Sequence, residues 1–169
     1  MEQDHSLTTT EVNFVVMTEI KYRKPDFADI ETIFTLINDY AAEGIMLAKS
    51  RSTLYETIRD MIVAVDEENN VVGVGALHVT WNELAEVRSM AVSRNFTRHG
   101  IGAEIVKRLI EEGRSFGVKQ FFTLTYKPGF FQTLGFRTIT KEELPHKIWR
   151  ECIDCPKFPN CDEIAMVLD

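Results

Sequence analysis

No apolar run in the sequence approaches about 20 residues, so the chain offers no helix long enough to cross a bilayer. Cations are scarce relative to acids. Lys plus Arg total 19 against 26 Asp plus Glu, a formal net charge of −7 among 169 residues. That shortage argues against general nucleic-acid binding, which needs many cations for phosphates. Only three cysteines are present, too few for a disulfide framework. The opening Met-Glu-Gln-Asp-His-Ser has neither the basic nor the apolar region of a secretion signal, so a cytoplasmic location is expected. No repeat, linker or low-complexity stretch divides the chain. What is present is enough for a core: 44% of residues are apolar and 27% charged, unlike a disordered polymer.

Residues 1–13 are polar and patternless and read as a loose tail; residues 14–169 read as one domain. A first strand is expected over 14–23. Pro25 then opens a helix, where its missing N–H costs nothing, with Asp26 and Asp29 at the positive end. Ile30, Ile33, Phe34, Ile37 and Ala41 keep helical spacing, and Gly44 stops it. A short helix follows, capped by Ser50 or Ser52. Residues 61–65 and 71–80 flank the turn Asp66-Glu67-Glu68-Asn69-Asn70 and read as a hairpin. A strand over 84–92, a basic loop and an amphipathic helix over 100–116 come next. Residues 118–125, 136–139 and 163–168 read as strands, with a short helix over 128–134.

Thr97-Arg98-His99-Gly100-Ile101-Gly102 lies between a strand and a helix. A loop entering a helix presents unpaired N–H groups at a positive dipole end, which suits phosphate. Glycines there let a ligand approach the backbone. Arg88, Arg94, Arg98, Lys107 and Arg108 make a local basic patch against one acid, Glu104. A compact phosphorylated ligand fits that patch better than a polymer does. The alternative is a helix that merely starts with glycines beside a solvated loop. No Gly-Lys-Ser/Thr follows, so this is no Walker loop, and a dinucleotide fingerprint would need a third glycine.

The segment resembles the GNAT acetyltransferase superfamily, whose acetyl-CoA pyrophosphate sits on an Arg/Gln-x-x-Gly-x-Gly/Ala loop. Gly100 and Gly102 match; Thr97 departs. Leu134-Gly135-Phe136 resembles the family's late turn. The resemblance implies an α+β fold: a mixed, strongly twisted sheet of six or seven strands with helices on both faces. It also implies that Arg98, His99, Gly100, Ile101, Gly102 and Ala103 hold the pyrophosphate. Backbone N–H groups of Met90, Ala91 and Val92 would then meet the pantetheine arm.

Within that family the chain is similar to the short, acetyltransferase-only N-acetylglutamate synthases. Glu86–Val92, Phe122–Thr125, Gly44–Arg51 and the stretch Leu144-Pro145-His146-Lys147-Ile148-Trp149 through Cys161-Asp162-Glu163 carry the likeness. The likeness implies acetyl transfer from acetyl-CoA to an amino-acid α-amine, L-glutamate foremost, by direct attack in a ternary complex, as a step of arginine synthesis. Such transfer needs a neutral amine, a polarised thioester and a proton for the leaving thiolate. Glu86 resembles the synthase's general base; spacing alone favours a half-exposed strand Glu paired with a neighbouring base, and the resemblance reverses that. Phe131 stands where many GNAT enzymes have an acid Tyr, so the acid must come from elsewhere, and Thr125 and Tyr126 are the candidates. Two substrate carboxylates need at least two anchors, for which Lys49, Arg51, Arg88, Ser89 and Lys127 are expected. Other small amines remain open as acceptors, as does a non-catalytic acyl-CoA-binding module. A homodimer is compatible with the sequence.

Cys152-x-x-Cys155 with Cys161 leaves three readings: a structural zinc site completed by His146 or Asp162, packed reduced thiols, or a reversible disulfide.

Overall fold

The computed structural model describes residues 18–169, apart from the side chains at 147, 150 and 151. The expected tail and the start of the first strand lie outside the described residues.

Seven strands form one sheet in the order β1-β2-β3-β4-β5-β7-β6. They are β1 (Lys21–Arg23), β2 (Met61–Val65), β3 (Val71–Trp81), β4 (Leu84–Val92), β5 (Gln120–Thr125), β6 (Arg137–Ile139) and β7 (Ile164–Leu168). All neighbours are antiparallel except β4 and β5. The helices are α1 (Ile30–Ala42), α2 (Arg51–Glu56), α3 (Ile101–Ser115), α4 (Pro128–Thr133) and α5 (Trp149–Ile153). This is the α+β fold with helices on both faces that the sequence predicts.

Alternation along β2 sorts the two layers. Met61, Val63 and Val65 pack with Ile30, Ile33 and Ile37 of α1; Ile62 and Ala64 pack with Ile101, Ile105 and Leu109 of α3. Gly75 on β3 makes the second contact close. A Cβ there would sit 2.6 Å from Ile105 Cγ2, so any side chain would push α3 off the sheet. A third apolar cluster joins Leu84, Phe122 and Val167 to Leu144 and Ile148, and fastens the segment between β6 and β7 onto the sheet.

Local chemistry shifts several boundaries. Asp26 caps a single 3-10 turn, Phe27–Asp29, before α1 begins at Ile30, five residues after Pro25. Ser50, rather than Ser52, accepts from Thr53 N at 3.1 Å and caps α2. Asp66 accepts from the amides of Glu68 and Asn70, which closes the predicted β2–β3 turn. The helix α5 is not evident in the sequence pattern, being short and set among polar residues.

Candidate active site

β4 and β5 pair over only three rungs, ending at Glu86 opposite Phe122. Thr123 Oγ1 then donates to the carbonyl of Val87 at 2.8 Å, and beyond that the strands part. A register irregularity turns β4 away. Val74 pairs with Ala91 but Ala76 pairs with Arg88, so Ser89 and Met90 face Gly75 alone. The extra residue is a bulge, and Ser89 takes φ +57 to make it. A bulge leaves backbone groups outside the ladder, where a ligand can reach them.

The splay opens a cleft of about 1090 Å³. One arm is β4 from Glu86 to Val92 with the N-terminus of α3; the other is β5 with the segment between β6 and β7. Gly100 enters α3 at φ +75 and no side chain caps the helix, so its first-turn N–H groups face the cleft without a protein acceptor from the cap position. A Cβ on Gly102 would sit 3.3 Å from the Phe130 ring, so the glycine keeps this wall low. Tyr40 on α1 braces the same arm. Its hydroxyl donates to the Val92 carbonyl at 2.6 Å.

Glu86 lines the cleft at the apex, its side chain 13% exposed, with Arg88 Nη1 3.6 Å from Oε2. Met90, Ala91, Val92, Arg98, Gly100, Ile101, Gly102 and Ala103 line one arm; Thr125, Tyr126 and Lys127 line the other, with Lys49, Arg88 and Ser89 near the apex and rim. Thus most of the predicted site residues converge. Arg51 and His99 do not. Arg51 is held away by Glu31, bonded through Nε at 2.7 Å and Nη2 at 3.0 Å, and it stacks on Phe34. His99 packs edge-on to Phe96 instead of lining the cleft. The basic patch is also partly neutralised, because Arg94 pairs with Glu43 and Arg108 with Glu104.

The two hydroxyl candidates differ. Thr125 Oγ1 accepts from Lys127 N at 2.9 Å, so its own proton remains for another acceptor. The Tyr126 hydroxyl donates to Asp162 Oδ1 at 2.5 Å and accepts from Lys157 Nζ. The bond to Asp162 holds the phenol above its ordinary range, while Lys157 pulls it the other way. The same bond holds Asp162 below the usual carboxylate range. Phe131 is buried, with its ring edge-to-face against Phe130 and Phe136.

Sequence reasoning missed the residues that position this site. Asn38 on α1 clasps Lys49 through both backbone groups, at 3.1 and 2.9 Å, and so fixes the 45–49 strand of chain at the cleft. Tyr40, Thr123, Lys157 and Asp162 were missed too. Their partners lie tens of residues away, and no local spacing marks them.

The zinc expectation is corrected. Among the described residues no group of three or more His, Cys, Asp or Glu is gathered to hold a metal. Asp162 is engaged by Tyr126, and Cys152, Cys155 and Cys161 line the cleft. None of the three cysteines is in a disulfide, and each is half-buried.

The model of the acetyltransferase (GNAT) family matches residues 29–136. The chain belongs to the GNAT acetyltransferase family. It is 43% identical over 145 residues to an uncharacterized N-acetyltransferase of Chlorobaculum tepidum, covering 86% of this chain and 93% of that one. It is 37% identical over 131 residues to an amino-acid acetyltransferase of Mycobacterium tuberculosis, covering 76% and 75%. Among solved structures, a Mycobacterium tuberculosis protein in complex with CoA and a second ligand superposes with a TM-score of 0.78 at 32% identity, covering 88% and 98%. N-acetylglutamate synthase of Neisseria gonorrhoeae, complexed with CoA and N-acetyl-glutamate, superposes at 0.80; this chain spans 34% of it, and the 24% identity shows a shared fold. This GNAT domain therefore carries the architecture for acetyl transfer from acetyl-CoA. No helix among its described residues is long and apolar enough to cross a membrane.

Proposed function

We propose that the protein transfers acetyl from acetyl-CoA to the α-amine of an amino acid, L-glutamate foremost, by direct attack. The observation that carries this reading is the setting of Glu86. A carboxylate at the last β4–β5 rung faces a cleft with helix-terminal N–H groups on one arm, Lys127 on the other, and Lys49 and Arg88 near the apex and rim.

In this reading acetyl-CoA lies along the first arm. Its pyrophosphate meets the N–H groups at Gly100–Ala103, aided by Arg98, and its thioester meets the bulged backbone at Met90–Val92. Glu86 takes a proton from the substrate ammonium, directly or through water, which frees the lone pair to attack the thioester carbon. Backbone N–H groups stabilise the tetrahedral oxyanion. As the C–S bond breaks, Thr125 supplies the proton to the thiolate. Tyr126 is the weaker donor, because its proton is committed to Asp162. Lys49, Arg88, Ser89 and Lys127 anchor the two substrate carboxylates. The likeness to amino-acid acetyltransferases supports an amino-acid acceptor and a place in amino-acid biosynthesis.

Glu142, Asp154 and Glu163 also line the cleft, which favours as a second reading an amino acid with a cationic side chain. Kinetics separate the two. Lys127→Ala and Lys49→Ala should raise KM for glutamate while leaving KM for acetyl-CoA near its original value. Unchanged KM for glutamate in both variants would remove these lysines from the acceptor site.

A further inference from the structure

Cys152, Cys155 and Cys161 all line the acceptor arm, and none has a place in the transfer chemistry. We propose that Cys152 and Cys155 form a redox modification site, at which a hydroperoxide closes a disulfide and thereby alters the acceptor wall.

Geometry lets this pair bridge. Cys155 N donates to the Cys152 carbonyl at 3.0 Å, an i to i+3 turn at the end of α5. Such a turn holds its outer Cα atoms within about 7 Å, and disulfides span about 4.4–6.8 Å between Cα atoms. Both thiols are reduced and half-buried, and both border a cleft wide enough for a small oxidant. The wall they sit in is lightly anchored. Between Lys141 and Glu163 the buried apolar side chains described are Leu144 and Ile148, so the turn at 152–155 can move without unpacking the sheet. Trp149 precedes the pair on α5 and also lines the cleft, so a change at the last turn reaches the space where an acceptor side chain sits.

One cysteine, as thiolate, attacks the peroxide oxygen; an S–O bond forms, the O–O bond breaks, and the alcohol leaves with a proton. The second thiol attacks the resulting sulfenic sulfur; an S–S bond forms, the S–O bond breaks, and water leaves. Two thiols lose two electrons and two protons, and the hydroperoxide is reduced to alcohol and water. A dithiol reductant reverses the bridge. Intracellular disulfides of this transient kind serve as redox sensors.

The location of the acceptor rests on the reading given above, but the chemistry can be read without it. The full chain is treated with hydrogen peroxide, blocked with N-ethylmaleimide and analysed by peptide mass spectrometry. The expected result is a peptide holding Cys152 and Cys155 that has lost two hydrogens and is restored by dithiothreitol. KM for the acceptor should rise several-fold while CoA affinity stays constant. Cys155→Ser and Cys152→Ser should each abolish both the bridge and the peroxide effect. Full blocking of all three thiols after peroxide, or oxidation to sulfinic acid without a bridge, would overturn the modification site. A bridge that leaves acceptor kinetics unchanged would overturn its action on the acceptor wall. If no amino acid is acetylated, the mass result still decides the bridge, and the failure belongs to the functional reading.

Discussion

The Thr123 hydroxyl and the Val87 carbonyl meet at 2.8 Å where β4 and β5 cease to pair. Thr123 is 3% exposed, so this bond is made away from water. It closes the base of the cleft with a side chain where the backbone ladder has stopped. Thr123→Val keeps the shape but leaves a buried carbonyl without its partner. The expected cost is about 1–3 kcal/mol of stability. Urea titration of the variant measures it, and a midpoint equal to the parent's would assign the junction to the apolar packing alone.

Tyr40 tests the brace on the CoA arm. Tyr40→Phe keeps the ring beneath Arg94 and removes the bond to the Val92 carbonyl. Loosening this segment should weaken CoA binding by about 0.5–1.5 kcal/mol, the net worth of an ordinary hydrogen bond. Titration calorimetry with CoA reads it directly; equal affinity would show that the strand end holds itself.

Much of this arrangement is legible in the sequence. The α3 stripe of Ile101, Ile105, Val106, Leu109 and Ile110 repeats at helical spacing within one segment, and the structure buries all but Ile110, which is half-buried. The glycine loop is legible because a helix start is a local feature; Glu86, inside β4, is marked only by the family resemblance, since spacing alone reads it as an ordinary strand Glu. The insertion of β7 between β5 and β6 is not, because pairing partners are chosen across the whole chain. Arg51 shows the same limit: its direction is set by Glu31, twenty residues away, and no spacing rule reports that pairing. The Tyr126–Asp162 bond joins residues on two different strand ends for the same reason.

The Arg23–Asp29 pair gives a pH prediction. Two bonds, of 2.7 and 2.9 Å, and the Asp26 amide at 2.8 Å hold the Asp29 carboxyl below the usual carboxylate range, the Arg23 bonds foremost. The folded pKa is lower than the unfolded one. The pair's stabilisation is therefore complete above the unfolded value of about 4 and is lost as pH falls through the folded value. Asp29→Asn should cost about 1.5–3 kcal/mol at neutral pH, the range for bonds to charged groups. The gap from the parent should narrow in acid. Thermal melts across pH 2–7 check the sign, and a gap that widens in acid would contradict it.

Gly102 tests the placement of the pyrophosphate. Gly102→Val pushes into Phe130 and Val92 and covers the first-turn amides, so CoA affinity should fall at least tenfold, about 1.4 kcal/mol. Circular dichroism should show the fold retained. Unchanged CoA affinity in that folded variant moves the ligand elsewhere.

In the proposed function, Glu86 deprotonates an amino-acid amine in the splay of β4 and β5. CoA release with each of the twenty amino acids, for the parent chain and Glu86→Gln, across pH 6–10, tests it. The highest kcat/KM is expected with glutamate. Glu86→Gln should lower turnover about 10²–10⁴-fold with acetyl-CoA affinity kept, the loss narrowing as pH rises and the amine loses its proton unaided. Parental turnover in Glu86→Gln at neutral pH, or no amino acid acetylated above background, would contradict it.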